Sequence, residues 1–147
     1  MRSVESLVIV KAKPIDVTNA FLEQKHLSAW WGVARSLVEP KTGGVWTAAW
    51  EISDAGMKYV SSGIIHDYEA GEYLRIDNLV YLNPERQILG PLTLEIFADE
   101  IRDGTKMRVI QSGYQSGEDW DWYYDAVMQA WPYALEMLKK YLEGMRF

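Results

Sequence analysis

Apolar residues recur at every second position through much of the stretch from Val45 to Ser112, and at every third or fourth from Tyr124 to Leu142. The first spacing puts alternate side chains on opposite faces of a strand; the second draws one stripe along a helix. Glu5–Lys13 predicts a first strand, which Pro14 stops. Two short helical pieces follow, Ile15–Leu22 and Lys25–Trp31, the second ended by Gly32. Val33–Glu39 predicts a short strand. Val45–Glu51 predicts another, with Trp46, Ala48 and Trp50 on one face. Lys58–Tyr68 is a strand interrupted by Gly63, and Ile64, His66 and Tyr68 share a face under strict alternation. Tyr73–Tyr81 puts Leu74, Ile76, Asn78 and Val80 together. Leu92–Asp99 and Thr105–Ser112 complete the set, the latter with Met107, Val109 and Gln111 on one face. Strands at hairpin spacing, closed by one long helix and without βαβ alternation, predict an α+β fold on an antiparallel sheet.

The terminal helix is predicted over Ser116–Glu143. Its stripe is Tyr124, Val127, Trp131, Leu135, Leu138 and Leu142. Glu118, Asp119 and Asp121 place negative charge at the positive end of the helix dipole. Pro132 lies inside the helix, where a missing amide predicts a kink between Met128 and Trp131. Trp120, Trp122, Tyr123 and Tyr124 crowd its start. Four neighbouring aromatics cannot share one stripe, so at least one is expected at the surface, in a homodimer contact or over a cavity as a lid.

Composition narrows the partners. The chain has 147 residues, 7 Trp, 9 Tyr and no Cys, and a net charge of −6. One domain over 1–147 is expected, with no disulfide framework and a cytoplasmic location. The charge is uneven: residues 51–100 alone carry a net −7. An acidic middle argues against nucleic acid, which needs a basic footprint. The run Leu7–Val10 is too short for a membrane span.

Four stretches resemble those of a known family. Leu27–Gly32 (LSAWWG), Gly43-Gly44-Val45-Trp46, Gly104-Thr105-Lys106-Met107 with Gln111-Ser112-Gly113-Tyr114, and Trp131 followed by Leu135, Leu138 and Leu142 occur in the order seen in the START-like superfamily. This superfamily is also called SRPBCC or birch-pollen-allergen-like. Within it the chain is most similar to homologues of the activator of heat-shock-protein-90 ATPase. It departs from their pattern at Pro132 and at Ala130, where a glycine is usual. The resemblance implies a helix-grip fold: a curved antiparallel sheet of about six to seven strands wrapped around the C-terminal helix, often with an apolar cavity between them. Family members bind or process small hydrophobic molecules, act on chaperone ATPases, or have no assigned activity, so the family alone does not fix function.

Chemistry-bearing motifs are scarce. The two histidines, His26 and His66, lack metal-ligand spacing, and no nucleophile or phosphate-loop motif occurs. No metal, cofactor or catalytic residue is assigned. The expected site is a pocket between the concave sheet face, with Trp46, Trp50, Leu94, Met107, Val109 and Gln111, and the inner helix face, with Tyr124, Val127 and Trp131. Gln111, Asn78 and His66 are polar groups on apolar rows, which orienting groups in a pocket also are. Trp46 and Trp50 either line a cavity or fill the core; Trp30 and Trp31 pack the small helices onto the sheet. The expected partner is a small hydrophobic or aromatic molecule. The alternatives are a protein-interaction module related to chaperone ATPase activators, and a cyclase- or dehydratase-like enzyme using His66 or a cavity carboxylate. An enclosed cavity favours ligand binding, and a filled core with an exposed apolar patch favours the interaction module.

Overall fold

A computed structural model describes residues 2–144. Strand β1 (Arg2–Val10) leads through helices α1 (Pro14–Asn19) and α2 (Gln24–Trp31) to six further strands: β2 (Arg35–Val38), β3 (Val45–Ser53), β4 (Gly56–Glu69), β5 (Tyr73–Leu82), β6 (Leu89–Ile101) and β7 (Gly104–Tyr114). Helix α3 (Glu118–Gly144) ends the described chain. The sheet order is β1-β7-β6-β5-β4-β3-β2, and every neighbouring pair is antiparallel. This is the predicted α+β helix-grip arrangement, with two short helices after the first strand.

Each boundary has a local cause. Pro14, with φ preset and no amide to lose, opens α1. Gly32 closes α2 in the left-handed conformation (φ 70) and donates its amide to the Leu27 carbonyl. β1 stops at Val10, three residues short of the prediction, because the Lys11 amide donates 2.9 Å to Glu143 Oε2 instead of to a strand. Lys139 Nζ donates to the Ile9 carbonyl at 2.9 Å. The end of α3 thus holds the end of β1 and the residue after it.

The inner stripe of α3 is Trp120, Tyr123, Val127, Trp131, Leu135, Leu138 and Leu142, all buried. It matches the predicted stripe except at its start, where Tyr123 and Trp120 replace Tyr124. Helix α3 runs unbroken through Pro132. Pro132 and Met128 are exposed, so the helical hydrogen bond that the proline removes is on the solvent side, where water has access.

Two bulges set the faces of β4 and β5. Ile65 pairs with Ile76 and Asp67 with Arg75, so His66 is an extra residue on β4. On β5, Ile76 pairs with Leu94 and Leu79 with Leu92, which leaves Asp77 and Asn78 opposite Thr93 alone. Asn78 absorbs the strain at φ 52, a region asparagine tolerates better than most residues. Gly63 lies against this bulge. A Cβ there would sit 2.8 Å from both the Asp77 carbonyl and Ile76 Cγ2. Gly63→Ala is therefore expected to destabilise the fold by about 1–3 kcal/mol, the range for overpacking. Urea denaturation reads this directly, and a change of a few tenths would show that the bulge yields.

Candidate functional site

The inner faces of β3, β4, β5, β6 and β7, Trp31 of α2 and one side of α3 between Tyr123 and Met137 leave a cavity of about 360 Å³ between them. Trp31 is the hub of one aromatic group. Its ring stacks on Trp30 at 4.8 Å and 7°, and lies 5.1 Å from Trp50 and 5.4 Å from Trp131. A second group is a ladder of phenols: Tyr59 stacks on Tyr81 at 6.5 Å, and Tyr81 on Tyr123 at 4.3 Å. All of these except Trp30 line the cavity.

The polar atoms on these rings are mostly committed inside the protein. Trp46 Nε1 donates to the Phe21 carbonyl at 2.8 Å, and Trp50 Nε1 to the Trp31 carbonyl at 3.1 Å. Trp131 Nε1 donates to Gln111 Oε1 at 2.9 Å, while Gln111 Nε2 donates to the Tyr123 hydroxyl at 3.1 Å. Gln111, 4% exposed, thus ties β7 to two turns of α3. Burial pushes the Tyr81 and Tyr123 hydroxyls above the ordinary phenol range, so both stay neutral. Burial acts the same way on Tyr114, whose hydroxyl has no hydrogen-bond partner. The cavity therefore offers ring faces and neutral hydroxyls. Glu51 at its rim is the one ionisable carboxylate among its lining residues.

The structure brings six of the expected site residues to this cavity: Trp46, Trp50, Leu94, Gln111, Val127 and Trp131. Five stand elsewhere. His66, the bulged residue of β4, is exposed on the outer face, 3.9 Å from Asp77. Of the two bases expected for an acid–base reaction, His66 or a cavity carboxylate, His66 stands outside the cavity and Glu51 is a carboxylate at its rim. Asn78 is exposed at the β5 bulge. Met107 and Val109 face inward but are fully buried in the filled part of the core. Tyr124 sits on the flank of α3, 5.2 Å from Tyr114 and beneath the Arg2 guanidinium at 4.6 Å. Trp31, Tyr59, Leu79, Tyr81 and Tyr123 line the cavity and were not predicted to. Had the bulge at Asn78 been anticipated, it would have turned Leu79 and Tyr81 inward.

The helix start is covered from within the chain. Asp119 accepts from Arg86 Nη1 at 3.0 Å and from the Gln87 amide at 3.1 Å, which fastens the β5–β6 loop to α3. The Gln87 amide and the Arg86 guanidinium hold the Asp119 carboxyl below its ordinary value. Trp122, 36% exposed, is the aromatic left at the surface, with Arg86 over its ring at 3.9 Å. His26 is remote from the cavity and joins α2 to α3, with Nδ1 2.6 Å from the Tyr141 hydroxyl and Nε2 3.1 Å from Glu23. Among the described residues no group of three or more His, Cys, Asp or Glu could hold a metal ion, and no helix is long and apolar enough to cross a membrane.

Comparison with known proteins places this geometry. The family model described as Activator of Hsp90 ATPase homolog 1-like protein matches residues 11–143. Among curated proteins none matches the sequence. Several solved structures share the fold. Protein MLL2253 from Mesorhizobium loti superposes with a TM-score of 0.79 at 17% identity, over 99% of this chain and 100% of that one. The Aha1 dimer from Colwellia psychrerythraea gives 0.72 at 15% identity, over 97% of each chain. CalU16 from Micromonospora echinospora gives 0.67 at 18% identity, over 96% of this chain and 76% of that one. At these identities the likeness is one of fold.

Proposed function

Because the chain belongs to the family of Activator of Hsp90 ATPase homolog 1-like proteins, within the START-like fold, we propose that it binds a small, flat, hydrophobic molecule between its sheet and its C-terminal helix. The observation that carries this reading is the aromatic cavity of about 360 Å³. Its volume lies in the roughly 300–1,000 Å³ range of ligand sites. A module whose work is done on its outer surface would gain more stability from a filled core. Ring faces bind by stacking and by burial of apolar area, at about 25 cal/mol per Å² removed from water. A homodimer belongs to the same reading, on the precedent of the Colwellia protein and of the exposed Leu7, Ile9 and Leu37 on the two edge strands.

The test is a melting screen against hydrophobic and aromatic small molecules. A ligand specific for the folded state, at a hundred times its dissociation constant, adds about 2.7 kcal/mol. For a chain of this length that is a shift of roughly 5–10 °C. Ala134, buried and in the cavity wall, supplies the control. Ala134→Leu fills the space and is expected to abolish the shift while leaving the unliganded melting temperature close to that of the wild type. A shift that survives Ala134→Leu would put the ligand elsewhere. No shift across a broad panel would turn the reading to a protein-interaction module.

A further inference from the structure

We propose that the cavity selects an organic cation: a flat aromatic or aliphatic ring system carrying a quaternary or protonated nitrogen. This rests on the cavity being a ligand site. Eight of its seventeen lining residues are Trp or Tyr. The faces of these rings carry negative potential, which attracts a cation and repels an anion. The lining residues include no cationic side chain to balance an anion, and several of their N–H donors are already engaged. The indole N–H groups of Trp46, Trp50 and Trp131 donate within the protein, as does the Gln111 amide. An anionic group entering here would give up its hydration for neutral hydroxyls and the Trp31 indole alone, with no opposite charge among the lining residues. The one charged lining residue is negative, Glu51.

The chain's own ammonium shows how a cation is held at the mouth. Lys58 Nζ lies 5.4 Å from the Tyr59 ring centroid and 3.9 Å from Glu51 Oε1. Its side chain is 53% exposed, so it can swing aside. Glu51 is held at φ 52, a conformation that costs energy for a residue with a side chain and that collects at functional positions. An incoming cation takes over the contacts to Tyr59 and Glu51 that Lys58 makes, and its apolar part enters among the indoles. Glu85 lies beside Glu51 and Lys58 and adds a second carboxylate near the rim.

Titration calorimetry with three probes of one ring system tests this: N-methylacridinium, acridine and acridine-9-carboxylate, under mildly alkaline conditions where acridine is neutral. The cation is expected to bind about tenfold more tightly than the neutral ring, and the carboxylate most weakly. Glu51→Gln should remove much of that preference. Lys58→Met should tighten cation binding and leave acridine unchanged. Both positions are on the exposed rim, and melting curves of the variants verify their folding. Equal binding of acridine and its cation, tighter binding of the carboxylate, or weaker cation binding in Lys58→Met overturns the inference while the cavity remains a ligand site. Failure of all three probes, together with a silent hydrophobic panel, removes the ligand site and the inference with it.

Discussion

Trp131→Ala is expected to lower the unfolding free energy by about 3–5 kcal/mol, the range for removing a buried tryptophan. Trp131 is 5% exposed, packs 5.4 Å from Trp31, and holds Gln111 through its indole N–H. Its loss adds a void beside an existing cavity and takes the donor from Gln111 Oε1. Two effects compete. The void raises the cost, because few atoms collapse into it. The cavity mouth lowers it, because water can enter and satisfy the stranded carbonyl oxygen. The void term is the larger, since most of the ring's surroundings are apolar. Urea denaturation measures the outcome, and a loss below about 1 kcal/mol would mean that α3 settles into the space.

Gln111→Met is the second large effect, at roughly 2–4 kcal/mol. Methionine has nearly the volume of glutamine, so packing changes little. The substitution instead leaves the buried Trp131 N–H and the Tyr123 hydroxyl without the partner they share. Each stranded group costs about 1–3 kcal/mol. The same variant separates two roles for Gln111. A clamp between β7 and α3 must show its loss in the protein without ligand. A group kept to orient a ligand would leave that stability unchanged and weaken only binding. The geometry assigns the clamp.

The frame of the molecule was legible because its periodicities are long and its turns well marked. The inner stripe of α3 and the alternation of β3, β6 and β7 put Trp46, Trp50, Leu94, Gln111, Val127 and Trp131 on inward faces, and the family resemblance supplied the cavity between them. The misses have separate physical causes. On β4 the adjacent Ile64 and Ile65 make either phase plausible, and only Ile65 is buried. On β5 the extra residue at Asn78 reverses the alternation beyond it, which turns Tyr81 inward. On α3 a step back from Val127 of three or four residues reaches Tyr124 or Tyr123, and the Tyr81 ring across the gap settles it on Tyr123. Met107 and Val109 lie on the correct face, but that face is longer than the cavity. A strand's period gives a side chain's direction; it does not say where along the row packing is left incomplete.

The stitched end of β1 has a consequence for how the molecule is made. β1 is made before β2–β7, yet its sheet partner is β7, and its end is held by Lys139 and Glu143 of α3. Such distant pairings are reached late, because a long loop must close before any contact rewards it, and sheets built this way fold in milliseconds to seconds. On the ribosome β1 therefore has no sheet partner until β7 has emerged. Leu7 and Ile9, still exposed in the finished fold, then travel on an unpaired strand until β7 follows. That is the interval in which the nascent protein is most open to being caught by another chain.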